Sequence, residues 1–222
     1  MTIGNDNVIS ISVKVRGRLD ELFSGLEPSL FRDAVEEGAA FVFACSENDP
    51  KQAPGFIGWD KITRALRERL IPLKWTRSDK HNQARTSSPD GSVVIVVAAG
   101  DELTGTSEQF EPTTRSPKGP MTANAVEVNQ RSFAEYLDDP AFEKPLVPET
   151  WILLYYIDED AEEIRVELSF PEQITTSGYV AIWKERIILE SIHFGGSSPS
   201  SGVDEEEEST EPEIRITRRS AS

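Results

Sequence analysis

A chain of 222 residues, 37% hydrophobic and 28% charged, is long enough to bury a genuine core in one large domain or two small ones, which excludes a disordered or fibrous protein. Its formal charge of −16, from 39 acidic and 23 basic side chains, disfavours generic binding to nucleic acid or to anionic membrane and favours basic partners. No apolar run approaches the ~20 residues that span a bilayer, the longest being Val93 to Ala99, so no membrane partner is expected.

The opening residues, Met-Thr-Ile-Gly-Asn-Asp-Asn, have neither the positive flank nor the apolar stretch of a secretory signal, and the expected location is cytoplasmic. The single cysteine, Cys45, cannot form an intramolecular disulfide or a multi-cysteine zinc site. Within the apolar stretch Phe41 to Cys45 it is expected to be a small buried hydrophobe.

In chain order, Ile9, Ile11, Val13 and Val15 alternate with Ser10, Ser12 and Lys14, which predicts a half-buried strand. After Gly17, Leu19, Leu22, Phe23 and Leu26 recur at helical spacing. Pro28 breaks that pattern, and Ser29 is placed to cap a second helix carrying Leu30, Phe31, Ala34 and Val35. Residues Gly38 to Cys45 fit either a continued helix or a buried strand. A loop from Asp49 to Gly55 leads into Trp59, Ile62, Leu66 and Leu70, an apolar stripe that predicts a helix ending near Pro72.

Two β-prone segments, Lys74 to Arg77 and Ala84 to Ser87, precede Pro89-Asp90-Gly91 and the run Val93 to Ala99, which together predict a hairpin. The unalternating apolar run implies a strand covered on both faces. Residues 100–122, rich in Gly, Thr and Pro, predict a long loop that is either functional or mobile. A short helix is expected within Ala123 to Leu137, and Pro140, Pro145 and Pro148 mark a subdivision of the body near 138–149.

Trp151 to Ile157 and Ile164 to Phe170 predict a second hairpin, with Ile164, Val166, Leu168 and Phe170 facing inward. Tyr179 to Trp183 and Arg186 to Leu189 add a further strand pair. The expected fold is therefore α+β over residues 1–195: a mixed, largely antiparallel sheet with N-terminal helices packed on it. Residues 196–222 read as a Gly/Ser linker and a disordered acidic tail, with seven acids and three bases after Gly196.

Three features bear on function. The segment from Lys61 to Arg85 holds eight basic residues against Glu68 and Asp79. Lys61, Arg64, Arg67, Lys74, Arg77, Lys80 and Arg85 are candidates for phosphate contacts, against the plainer reading of a solvated helix face paired with nearby carboxylates. The 100–122 loop follows a buried strand, and Asp101, Thr104, Gly105, Lys118 and Gly119 could present amides, a hydroxyl and a cation to a ligand. The spacing matches no phosphate-cradling motif, and a mobile surface loop is the competing reading.

The tail joins an acidic block, Asp204 to Glu208, to Ile214 and Ile216 among arginines, a stretch able to add to a partner's sheet edge. Asp101, Glu127 and Glu167 are placed as metal-nuclease carboxylates would be, but none has a Glu-x-Lys partner, and Glu167 is expected to be an outward strand carboxylate. The two histidines, His81 and His193, lie apart. No catalytic residue, metal or cofactor is assigned.

The composition favours a non-catalytic interaction protein that binds a basic or edge-exposing protein through its acidic surface or tail. The alternatives are a nucleic-acid-associated protein using the 61–85 segment, and a small phosphoryl-transfer or hydrolytic enzyme with its site at the 100–122 loop.

Overall fold

The run Val93 to Ala99 becomes β4, and its residues pair in parallel with Glu149 to Tyr155 of the next long strand, Ala99 lying opposite Tyr155. A computed structural model describes residues 7–108, 110–119, 122–127, 129 and 148–194 of the chain. The strands are β1 (Val8–Ile9), β2 (Thr76–Ser78), β3 (Arg85–Ser87), β4 (Val93–Ala99), β5 (Glu149–Asp158), β6 (Glu163–Ile174), β7 (Val180–Ile188) and β8 (Ile192–His193). They form one sheet in the order β1-β7-β6-β5-β4-β3-β2, with β8 beside β6. Only β1–β7 and β4–β5 are parallel, so the sheet is mixed and largely antiparallel, and the fold is α+β.

Three helices, α1 (Ser12–Leu22), α2 (Pro28–Phe43) and α3 (Ala53–Leu70), cover one face of this sheet. Val15, Leu19, Phe31, Val35, Ile62, Leu66 and Leu70 pack there against Val93, Ile95, Val97, Trp151, Leu153, Val166 and Leu168. The helices α2 and α3 approach so closely that a Cβ on Gly38 would lie 2.3 Å from Cγ1 and 2.7 Å from the backbone nitrogen of Ile62. The opposite face buries Val94, Val96, Ala98, Ile152, Leu154, Val180 and Trp183. Both faces of β4 are thus covered, as its unalternating sequence implies.

Several local expectations are corrected. The predicted strand to Val15 gives way to α1 at Ser12, leaving only Val8 and Ile9 extended. Val15 and Leu19, four apart, are the residues α1 buries, while Ile11 and Val13 are 60% and 83% exposed; packing of the i, i+4 pair overrides the alternation. Pro28 starts α2 instead of merely ending its predecessor, which suits a residue whose missing amide costs nothing in a first turn, and Ser29 is not the cap. The ambiguous stretch from Gly38 is helical, and α3 begins inside the predicted 49–55 loop.

Tyr179–Trp183 and Arg186–Leu189 are not two strands but parts of one, β7, because the polar Glu185 and Arg186 are used for ion pairs and not for a turn. Cys45 is half-buried, its thiol 3.6 Å from the Phe41 carbonyl oxygen. Residues 122–127 are helical; the rest of the predicted helix, the 138–147 part of the subdivision and the acidic tail lie outside the described residues.

Candidate functional site

A buried ion pair organises the lower face of the sheet. Glu167 on β6 and Arg186 on β7, both fully buried, form a two-point pair: Arg186 Nη2 donates to Oε2 at 2.6 Å and Nε to Oε1 at 3.2 Å. Glu167 therefore corrects the expectation of a solvated strand carboxylate. Its Oε2 also accepts the Gly105 amide at 2.9 Å and its Oε1 the Ser169 hydroxyl at 2.7 Å, while Arg186 reaches the Thr106 carbonyl at 3.0 Å. Burial makes an unpaired charge costly, so this pair holds the 100–107 segment against the sheet.

The rest of the loop is tied with equal care. Gly100 bridges to Thr114, closing the intervening residues into an Ω-shaped excursion whose ends meet at the end of β4. Asp101 accepts the amide and hydroxyl of Thr113, both at 2.8 Å, and the Leu103 amide. Trp183 donates its indole N–H to the Pro112 carbonyl at 2.7 Å. The Arg115 amide continues the β4 edge by donating to the Ala99 carbonyl, and Lys118 donates its own amide to Gly178 in the β6–β7 turn at 2.7 Å. Gly178 adopts φ +88°, and any Cβ there would press on Pro117 at 3.2 Å. Lys118 is thereby placed beside the β6–β7 turn, and Arg115 at the C-terminal end of β4.

A cavity of about 860 Å³ opens at that point. It is lined by the strand ends Val96–Gly100 and Tyr155–Ile157, by Val42, by the start of α3 (Gln52, Pro54, Gly55, Phe56, Trp59), and by Asn82, Gln83 and Ala84. Ile152, Lys51, Arg115, Ser116, Lys118, Thr122 and Glu159 are the other described lining residues. A crevice beyond the carboxyl ends of neighbouring parallel strands is where open sheets commonly hold ligands.

The electrostatics of this cavity contrast with the chain. Lys51, Arg115 and Lys118 line it without an ion pair among the described residues, and Glu159 is the one lining carboxylate among them. Burial alone pulls the Lys118 ammonium down to about 8, which leaves it largely protonated at neutral pH. Burial pushes the Tyr155 phenol up to about 12, against a smaller opposing effect of Arg115, so it stays a neutral hydroxyl. The first turn of α3 adds its positive end: Pro54 has no N–H, and the Gly55 amide makes no hydrogen bond among the described residues.

The residues singled out from sequence are distributed differently from one another. Lys118 lines the cavity, and exposed Gly119 follows it. Asp101, Thr104 and Gly105 serve the loop itself: Asp101 and the Gly105 amide in the bonds above, and Thr104 fully buried. Of the basic segment, Lys61 pairs with Asp60 at 2.8 Å, Arg64 with Glu68 at 2.9 Å and Arg67 with Asp79 at 2.7 Å. Lys74, Arg77, Lys80 and Arg85 make no ion pair among the described residues. His81 is an exposed left-handed residue at φ 57° beside the cavity-lining Asn82.

Sequence reasoning missed Lys51, Gly55, Arg115 and Tyr155, which come from separate segments. Among the described residues no group of His, Cys, Asp and Glu is arranged to hold a metal ion, and no helix is long and apolar enough to cross a membrane. No protein-family model matches the sequence, and comparison with curated proteins and with solved structures gives no significant match.

Proposed function

We propose that this protein is a small-molecule binder, and that its ligand is an anion held in the cavity at the C-terminal ends of β4 and β5. The observation that carries this reading is the local reversal of charge. In a chain of net charge −16, three cationic side chains and the open first turn of α3 share one cavity of about 860 Å³ with a single described carboxylate. Of the three, Lys118 is half-buried and costly to keep unpaired, a cost that an anionic ligand relieves, while Lys51 and Arg115 are exposed.

Lys118 is mostly charged at neutral pH and the Tyr155 phenol is held protonated, so both can donate a hydrogen bond to an anion.

The test is calorimetric titration of the full chain with inorganic phosphate and with ribose 5-phosphate, beside Arg115→Ala and Lys118→Met. Hydrogen bonds to charged groups are worth about 1.5–3 kcal/mol each, so either substitution should weaken binding about 10- to 100-fold. Absence of binding to the unaltered protein, or variants that both bind as tightly as it does, would overturn the reading.

A second reading keeps the phosphate-backbone expectation for the basic segment. It is supported by Lys74, Arg77, Lys80 and Arg85 and weakened by the carboxylates that neutralise Lys61, Arg64 and Arg67. It predicts salt-sensitive binding of mixed nucleic-acid fragments that is lost when Arg77 and Arg85 are replaced by Ala. The expectation of a basic protein partner rests on net charge and on a tail outside the described residues, and a host pull-down with the full chain tests it.

A further inference from the structure

The cavity wall contains more than cations. Phe56 and Trp59, one turn apart on α3, both line it, with ring centroids 5.8 Å apart and planes inclined at 45°. Phe56 is 64% exposed, beside Phe110, Phe41 and Phe43 at 69%, 44% and 43%, and of these it alone is among the described lining residues. An aromatic face left open at a cavity mouth suits a planar ring, whose π-face stacks without regard to its substituents.

The charge balance sets the other end of the site. Lys51, Arg115 and Lys118 against Glu159 leave a surplus of two positive charges among the described lining residues. A phosphomonoester carries about −1.5 to −2 at neutral pH and offers three acceptor oxygens, which matches this surplus better than one carboxylate does.

Resting on the anion-binding reading above, we infer that the ligand is a phosphomonoester joined to a planar ring, as in a nucleoside monophosphate. Its phosphate lies by Arg115, Lys118 and Lys51, and its ring lies on the Phe56–Trp59 face.

Adenosine monophosphate, ribose 5-phosphate and adenosine are titrated calorimetrically into the full chain and into Phe56→Ala. Phe56 is largely exposed, so its truncation leaves the core intact. The nucleotide is expected to bind about tenfold or more tighter than ribose 5-phosphate, and adenosine weaker than either. Phe56→Ala should remove most of the nucleotide's advantage and leave ribose 5-phosphate unchanged. Equal affinity for nucleotide and ribose 5-phosphate would overturn the ring assignment while the anion site stands. Binding of neither phosphate would overturn both.

Discussion

Replacing Arg186 by Met removes one partner of the fully buried pair and leaves the Glu167 carboxylate with only the Gly105 amide, at 2.9 Å, and the Ser169 hydroxyl, at 2.7 Å. Removing one member of a buried pair typically costs about 3–5 kcal/mol, because the remaining charge is desolvated and uncompensated. The lost donor to the Thr106 carbonyl, at 3.0 Å, acts in the same direction. A body of this size has a urea slope of about 2–3 kcal/mol per molar, so the unfolding midpoint should fall by about 1–2 M. Adding Glu167→Gln should then restore about 1–3 kcal/mol, since the neutral amide can still accept from Gly105 and no buried charge remains. Urea titration followed by tryptophan fluorescence measures all three variants. A loss under about 1 kcal/mol for Arg186→Met, or a double variant as unstable as the sum of the singles, would refute the reasoning.

Three further outcomes are expected. Anion affinity should be steady at neutral pH and decline as pH rises through about 8, because binding needs the protonated Lys118 amine, and calorimetry in buffers of different ionisation enthalpy should show proton uptake near that pH. Without ligand the sign is opposite for stability: the folded Lys118 value lies below the unfolded 10.5, so its contribution is unfavourable below about 8 and relieved between those values, a rise absent in Lys118→Met. Gly38→Ala should destabilise by about 1–2 kcal/mol despite the better helix propensity of Ala, since the new Cβ would meet the Ile62 backbone at 2.7 Å; a gain in melting temperature would count against the close α2–α3 contact. Gly178→Ala should weaken anion binding more than it lowers stability, because the turn at φ +88° positions Lys118; unchanged affinity would show that this turn does not position the site.

The elements that could be read from sequence are those whose pattern matches what covers them. Ile62, Leu66 and Leu70 repeat at helical spacing because one face of α3 meets the core, and Val93 to Ala99 is apolar throughout because helices lie above it and loop and helical residues below. The α1 segment misleads because Ile11 and Val13 are apolar yet exposed, which creates an alternation that packing ignores. The Lys184-Glu185-Arg186 trio resembles a turn until its partners, Arg18 and Glu167, are known, and those lie far away in sequence.

The site follows the same logic. Lys118 stands out locally, in a Gly/Thr/Pro-rich loop after a buried strand. Lys51, Gly55, Arg115 and Tyr155 do not, since their meeting depends on the parallel register of β4 with β5, which no local period encodes. Nor does composition reveal how residues 100–108 and 110–119 are anchored, because the partners are backbone carbonyls at Ala99 and Gly178 and a buried charge pair.

The most direct test of the anion site is backbone-amide NMR of the full chain during a titration with inorganic phosphate. Saturable shifts at Gly55, Ser116 and Gly119, absent in Arg115→Ala, are the expected result. Shifts confined to Lys74–Arg85, or none that saturate, would contradict ligand binding at the ends of β4 and β5.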